Sequence, residues 1–179
     1  LYKYSPYKTL TFDQKEGLML IIDCLLNDKF KNIIIEGGAG TGKTVLAVFL
    51  FKLLHTDNAE FNYKEFGEEE ALFTEKIKSL RKKFPSPKMG LVVPMSSFRN
   101  TLKKVFQNVN GLKSSMVIGP AETTKEKYDV LLVDESHRLR RRVNLGAYFG
   151  AFDTACIKLG LNKNEAHALD SVVHQSNKA

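Results

Sequence analysis

Short apolar runs alternate with longer stretches of helical spacing along the chain. Runs of this length predict strands that are buried on both faces of a sheet. They cover residues 32–36, 91–93, 116–118 and 130–133. Apolar positions at helical spacing predict helices that precede or separate these runs. They cover residues 11–30, 43–55, 67–84 and 96–109. Strands that alternate with helices favour an α/β fold with a mainly parallel sheet.

Hydroxyl side chains stand where two of these helices are predicted to begin. Thr11 is placed to cap the first helix, and Ser96 or Ser97 is placed to cap the helix of residues 96–109. A hydroxyl oxygen at that position accepts a hydrogen bond from a backbone N–H of the first turn.

The pattern changes after Arg142, where only helices are predicted, over residues 145–159 and 163–173, with Gly160 as the stop between them. No further strand is expected. The chain has no initiator Met and ends on a helix where another parallel strand would follow, so we expect a piece of a longer protein, cut short at its C-terminus. We predict one domain over residues 1–179, with a helical lead-in (1–31), a core (32–135) and a helical C-terminal part (136–179).

Composition excludes some classes of protein. The chain is 43% hydrophobic and 26% charged, as is typical of globular domains. No apolar run approaches the roughly 18 residues that cross a bilayer, which predicts that the chain has no membrane partner. Cys24 and Cys156 lack the spacing of a metal site, so we predict free, buried thiols in a reducing cytoplasm.

The net charge of +7 suggests an anionic partner, although solubility alone would also explain it. Its distribution is more informative. Residues 96–121 carry only basic charges, among them Arg99 and Lys103, and a second basic run spans residues 138–142.

A glycine-rich stretch after the first predicted strand carries the clearest motif. Gly37, four residues, and then Gly42-Lys43-Thr44 fit the phosphate-loop pattern GxxxxGK[ST], with a predicted strand before it and a helix after it. Glycine allows consecutive backbone N–H groups to turn towards a phosphate. Lys43 would reach the β- and γ-phosphates, and Thr44 would place its hydroxyl on Mg²⁺. The predicted nucleotide-binding loop consists of Gly37, Gly38, Ala39, Gly40, Thr41, Gly42, Lys43 and Thr44.

The run of residues 130–133 leads directly into Asp134 and Glu135. The carboxyl end of a central parallel strand is where such sheets bind ligands. We predict that Asp134 holds Mg²⁺ through water, and that Glu135 orients and deprotonates the attacking water. By itself the pattern also suits a strand that leads into a helix cap.

These segments resemble the first motor domain of superfamily 1 helicases and, more closely, a bacterial family of uncharacterised P-loop proteins related to the Schlafen helicase domains. LTFDQKEGLMLI is similar to the glutamine motif, GGAGTGKT to motif I, GLVVPMSSFRNTL to motif Ia and VDESHRL to motif II. The resemblance implies a three-layer RecA-like P-loop NTPase domain that binds and hydrolyses ATP with Mg²⁺. It also implies a cytoplasmic helicase-like protein that acts on DNA or RNA and has a second motor domain in the same parent chain.

The resemblance also implies roles for single residues. Gln14 would read the adenine edge, unless it is an exposed polar residue in the first turn of a helix. His137 would couple nucleotide state to a neighbouring motif, with a satisfied interior histidine as the alternative. The residues implied in nucleic-acid binding are Ser96, Ser97, Arg99, Lys103 and Arg138. The run of residues 138–142 equally suits nucleic acid, a missing partner domain or a solvated loop.

The later helicase motifs, including the arginine fingers, are not present in this sequence. Hydrolysis without such an arginine is slower by about three to five orders of magnitude, so we expect ATP binding with little turnover.

Asn162-Lys163-Asn164-Glu165 loosely matches a guanine-binding signature, which leaves a GTP-dependent switch as an alternative. A small-molecule kinase with an arginine-rich lid would use the same phosphate loop, and a non-catalytic binding module would also contain it.

Overall fold

The computed structural model describes residues 9–56, 70–142 and 149–178. The helices are α1 (Phe12–Leu26), α2 (Lys43–His55), α3 (Glu70–Lys83), α4 (Ser96–Gln107), α5 (Phe149–Leu159) and α6 (Ala168–Gln175). The strands are β1 (Met89–Val92), β2 (Val117–Ile118), β3 (Tyr128–Val133) and β4 (Ser176–Lys178).

The four strands form one parallel sheet in the order β2-β1-β3-β4. Leu91 of β1 is in register with Val117 of β2 and with Leu132 of β3, and Tyr128 of β3 is in register with Ser176 of β4. The parallel direction brings the carboxyl ends of β1 and β3 to one edge of the sheet. The α/β class and the parallel sheet are confirmed and agree coarsely with a RecA-like fold, whereas the three-layer P-loop assignment stays a prediction.

The strand predicted over residues 32–36 is wrong. This segment has no strand hydrogen bonding in the described structure, and Ile34 and Ile35 are 85% and 46% exposed. β-branched residues favour a strand only when a neighbouring backbone pairs with them. Within the described residues, the strand that pairs with β3 on the side away from β1 is β4.

The prediction that no strand follows Arg142 is also wrong, because β4 pairs with β3. The helix predicted over residues 163–173 starts later, at Ala168, since residues 163–165 form a turn. The helix predicted over residues 145–159 is described only from Phe149, and residues 143–148 lie outside the described part. Gly160 adopts a φ of +67° immediately after α5, which agrees with its predicted role as a helix stop.

Two of the predicted helix starts are confirmed, those of α1 and α2. Thr11 caps α1 in a reciprocal capping box with Gln14, and α2 covers the predicted residues 43–55. The predicted serine cap of α4 is wrong. Met95 is the cap residue and makes no side-chain cap hydrogen bond, so Ser96 and Ser97 belong to the first turn itself. The chain therefore enters this helix one residue earlier than the serine pattern suggests.

The core forms on both faces of the sheet because neighbouring residues of a strand point in opposite directions. Leu91 packs into the large cluster that includes α1, α2, α3 and α4. Val92 packs into a separate cluster with Val172 of α6. Phe51 of α2 and Phe106 of α4 are fully buried in the large cluster, with ring centroids 5.1 Å apart. This packing fixes α2 relative to the carboxyl edge of the sheet.

Both cysteines are free, as predicted, but only Cys156 is buried, whereas Cys24 is partly exposed. Among the described residues, no helix has both the length and the apolar character that crossing a bilayer requires.

Candidate functional site

The loop of residues 37–42 connects an exposed segment to the start of α2. Gly40 and Gly42 have φ angles of +81° and +93°, in the left-handed region that favours glycine. A side chain at Gly42 would also overlap the amide nitrogen of Gln14. The backbone conformation therefore favours glycine at position 42, and a larger residue there would also displace the Gln14 amide.

Gln14 joins this loop to α1. Its side-chain oxygen accepts a hydrogen bond from the Thr11 backbone N–H at 3.1 Å, and its Nε2 donates to the Thr41 carbonyl at 2.9 Å. Thr41 in turn donates its hydroxyl hydrogen to the Gly38 carbonyl at 3.0 Å. The amide thus uses both its acceptor and its donor to hold the loop beside the first turn of the helix.

Lys43 is the first residue of α2, and its side chain folds back on the loop. The ammonium donates to the Gly37 carbonyl at 2.6 Å and to the Gly38 carbonyl at 2.9 Å. The aliphatic stem lies close to Gly37, where an added Cβ would lie 3.6 Å from the lysine Cδ. In this arrangement the loop carbonyls, which are acceptors, solvate the ammonium.

Thr44 and Asp134 are far apart in the sequence and touch in the fold. The Thr44 hydroxyl donates to Oδ2 of Asp134 at 2.8 Å. The Asp134 backbone N–H donates to the Val92 carbonyl at 3.0 Å, which continues the pairing of β1 and β3 by one residue. The end of β3 and the N-terminus of α2 therefore supply a carboxylate and a hydroxyl to one point.

Asp134 is largely removed from water, with 7% of its surface exposed. Burial raises the pKa of its carboxyl group above the usual range, and the neighbouring Glu135 carboxylate raises it further. The hydrogen bonds from Thr44 and from the Glu135 backbone, and the charge of Lys43, act in the opposite direction. The net effect is a raised pKa, so the Asp134 carboxyl binds a proton more readily in the folded state than in the unfolded chain.

We expect Asp134→Asn to increase the free energy of unfolding at neutral pH. The raised pKa means that the native state binds more protons than the unfolded state between the two pKa values, so stability falls as the pH rises through this window. Asparagine retains an acceptor for Thr44 without the buried charge. Urea unfolding at several pH values measures the difference in free energy of unfolding between Asp134→Asn and the unsubstituted chain. We expect this difference to disappear below about pH 4.

Glu16→Gln on the exposed face of α1 is the matched control and should change the free energy of unfolding by less than about 0.5 kcal/mol. A loss of stability in Asp134→Asn at neutral pH would contradict the explanation from burial.

Glu135 has an unusual backbone conformation for a residue with a side chain. Its φ of +55° and ψ of +48° lie in the left-handed region, directly before a short 3₁₀ turn over Ser136–Arg138. Its carboxylate lies 3.3 Å from Nε2 of His137 and 3.7 Å from Nε of Arg138. Backbone strain of this kind costs about 1 to 2 kcal/mol and concentrates at functional sites. The strained turn directs Glu135 towards two basic side chains.

The Thr44 and Asp134 oxygens suit Mg²⁺, which prefers hard oxygen ligands and binds through few protein groups. The described residues include no cluster of three or more histidine, cysteine or acidic side chains that would hold a metal without help. Thr44 and Asp134 therefore supply two oxygen atoms of the kind that a divalent ion binds.

Ser96, Ser97 and Arg99 of the predicted motif Ia lie at the start of α4, beyond the carboxyl end of β1, and Lys103 lies further along the same helix. Ser96 and Ser97 are exposed and Lys103 is partly exposed. Arg99 donates from Nη1 to the Val93 carbonyl at 2.8 Å and packs against Gly119. The guanidinium thus stabilises the end of β1, and its predicted contact with nucleic acid stays a prediction.

The fold brings together the glycine loop, Gln14 and Asp134, while Arg138 lies beside Glu135 at the same edge of the sheet. One residue that the sequence pattern did not single out, His167, lines a cavity with His137, Arg140 and Arg141. Only the tertiary pairing of these segments reveals it.

The proposed guanine signature lies in the turn before α6, where the Asn162 side-chain oxygen accepts a hydrogen bond from the Asn164 backbone N–H at 3.2 Å. This oxygen is used within the turn itself, and no observation favours a guanine site there.

Comparison with known proteins identifies the family. A family model described as the Schlafen group 3 DNA/RNA helicase domain matches residues 31–169, which include the glycine loop and the acidic end of β3 but not Gln14. Neither the curated proteins nor the solved structures give a significant match. Since the matched range covers most of the 179 residues, the chain belongs to the Schlafen group 3 DNA/RNA helicase domain family.

Proposed function

We propose that this domain binds ATP with Mg²⁺ and is the first motor half of a helicase-like ATPase that acts on nucleic acid. The main observation behind the proposal is the 2.8 Å hydrogen bond between Thr44 and Asp134. It joins the residue after the loop lysine to the acidic end of a parallel strand, which is the edge where open α/β sheets bind ligands. The family match adds independent support for action on DNA or RNA.

The loop residues would bind the triphosphate. The N-terminus of α2 presents free backbone N–H groups and the positive end of a helix dipole. Lys43 would exchange the carbonyls of Gly37 and Gly38 for phosphate oxygens, which carry full negative charge and form stronger hydrogen bonds. Phosphate binding would thereby release the loop to turn its N–H groups towards the ligand.

Thr44 and Asp134 would hold the metal ion, with Asp134 acting directly or through water. Mg²⁺ bound there would neutralise negative charge on the phosphates. Glu135 would orient the attacking water and accept its proton.

Fluorescence titration with a labelled ATP analogue, with and without Mg²⁺, tests the proposal directly. We expect saturable binding that Mg²⁺ strengthens and that unlabelled ATP displaces at lower concentration than GTP. Preferential displacement by GTP would favour a switch protein. Phosphate transfer from ATP to a small molecule would favour a kinase, and absence of binding would refute the proposed site.

We expect Gln14→Glu to separate the two roles of Gln14. The carboxylate keeps the capping-box acceptor for Thr11, so the free energy of unfolding should change by less than about 0.5 kcal/mol. It cannot donate to the Thr41 carbonyl, and the loop loses its link to α1. ATP affinity should fall by about fivefold to tenfold, the equivalent of one hydrogen bond.

Gln14→Ala is the comparison variant, because it loses the cap as well and should cost about 1 kcal/mol of stability. Equal stability losses in the two variants, or an unchanged ATP affinity in both, would contradict this division of roles.

A further inference from the structure

A basic cavity of about 520 Å³ lies beyond the acidic end of β3, next to Glu135 and outside the loop and metal residues. The residues that line it are His137, Leu139, Arg140, Arg141 and His167. Four of these five carry a histidine or arginine side chain, and none carries a carboxylate. The cavity is open to solvent, and the side chains of His137, Arg140 and Arg141 are exposed.

Backbone pairing fixes the walls of this cavity. Arg141 and His167 form an antiparallel bridge, and the Ala168 N–H donates to the Arg140 carbonyl at 3.2 Å. Leu139 is 5% exposed and packs against Phe152 in a small apolar cluster under α5 and α6. The side chains of Arg141 and His167 are therefore presented by two paired segments with an apolar base beneath them.

The carboxylates of the flanking segments are already paired. Asp153 of α5 accepts two hydrogen bonds from Arg142, at 2.6 and 2.9 Å. Asp170 of α6 accepts the His167 backbone N–H at 2.6 Å. Arg142 balances the charge of Asp153, whereas Asp170 accepts a neutral backbone N–H and Glu135 lies 3.3 Å from His137. Arg140 and Arg141 give the lining an excess of positive charge, because no lining residue is acidic.

His167 is oriented as a donor. Its Nδ1 accepts a hydrogen bond from the Leu169 N–H at 3.1 Å, so the neutral ring carries its proton on Nε2. Arg141 is exposed and carries a planar guanidinium, which binds two phosphate oxygens at once. The hydrogen-bond donors and the positive charge of these two side chains are suited to binding a phosphate group. The volume exceeds what one phosphate needs and leaves room for its sugar.

We propose that this cavity binds a phosphodiester segment of single-stranded nucleic acid. The inference rests on the proposed function and adds a specific contact site to it. His137 both lines the cavity and lies 3.3 Å from the Glu135 carboxylate. A strand bound there would lie beside the residue that we propose as the catalytic base.

The test is anisotropy of a labelled short oligothymidylate with the whole chain, without nucleotide, between about 50 and about 200 mM salt. Arg141→Gln should weaken binding about fivefold at the lower salt concentration and reduce the salt slope by about 0.7, the value of one single-strand phosphate contact. Lys158→Gln, which removes an exposed charge at the end of α5, is the matched control and should stay within about twofold.

Arg141→Lys should bind with intermediate affinity, because it keeps the charge but loses the two-pronged contact. Thermal unfolding of each variant establishes that it is folded. Equal weakening by Arg141→Gln and Lys158→Gln would overturn the inference, as would no oligonucleotide binding by the unsubstituted chain.

Parallel titration with labelled ATP distinguishes this failure from failure of the proposed nucleotide site. If the chain binds ATP but Arg141→Gln has no effect on oligonucleotide binding, the proposed contact in the cavity is refuted. The proposed nucleotide site then still stands. Arg141→Gln that weakens ATP binding but not oligonucleotide binding would assign the cavity to the nucleotide. Displacement of the oligonucleotide by thymidine monophosphate at equal nucleotide concentration would assign it to a phosphate monoester.

Discussion

Lys43→Ala is expected to weaken the binding of magnesium-ATP by about two orders of magnitude, about 3 kcal/mol. Lys43 is the one cationic side chain among residues 37–44, and hydrogen bonds between charged groups contribute roughly twice as much as neutral ones. In the described structure this group is held by the Gly37 and Gly38 carbonyls at 2.6 and 2.9 Å. Titration with labelled ATP in the presence of Mg²⁺ measures the loss.

Lys31→Ala, which removes an exposed lysine before the loop, is the control for a general loss of positive charge. It should leave the affinity within about twofold. The contacts of Lys43 are exposed, so Lys43→Ala should reduce the free energy of unfolding by less than about 1 kcal/mol. An unchanged ATP affinity in Lys43→Ala would count against the proposed function.

Phe51→Ala is expected to reduce the free energy of unfolding by about 3 to 5 kcal/mol. The ring is fully buried between α2 and α4, where it meets Phe106 edge to face at 5.1 Å. Its removal leaves a cavity and loses an aromatic pair. Domains are stable by only about 5 to 15 kcal/mol, so urea unfolding should show a large shift of the midpoint.

Phe12→Ala makes the same chemical change at a residue that is 73% exposed, and it should cost less than about 0.5 kcal/mol. Phe51→Leu keeps most of the apolar volume and should fall between the two. Equal costs for the Phe51→Ala and Phe12→Ala variants would show that the packing between α2 and α4 is not what positions the site.

The elements that the sequence predicted well depend on local chemistry. Thr11 and Gln14 form a capping box across one turn, and the start of α2 at Lys43 follows the end of the glycine loop. The three apolar runs that become β1, β2 and β3 are uninterrupted and short, which suits strands covered on both faces. The residues that determine each of these elements lie within or beside it.

The two strand errors have the opposite origin. The apolar run of residues 32–36 looks like a strand but has no pairing partner among the described residues. Ser176–Lys178 has no apolar pattern, and it becomes β4 because the edge of β3 offers hydrogen bonds to it. Strand pairing depends on which backbone segment lies next to the strand in the fold. The apolar pattern of a segment contains no information about that neighbour.

The candidate site shows the same division. The types of residue needed to bind a nucleotide are present in the sequence, and the spacing of the motifs is enough to single out Lys43, Thr44 and Asp134. The contact of Thr44 with Asp134, the carbonyl contacts of Lys43 and the left-handed turn at Glu135 are properties of the folded chain. So is the cavity that joins His167 to Arg141.

By itself the sequence determined the starts of α1 and α2, the three apolar strands β1, β2 and β3, and the chemical groups of the glycine loop and of the acidic strand end. The tertiary structure alone decided which strands pair, which distant side chains meet and which basic residues share a cavity. The physical reason is the distance along the chain over which each interaction acts. Capping, periodicity and loop conformation depend on neighbours along the chain, whereas pairing and burial depend on backbone and side chains that only folding brings within contact distance.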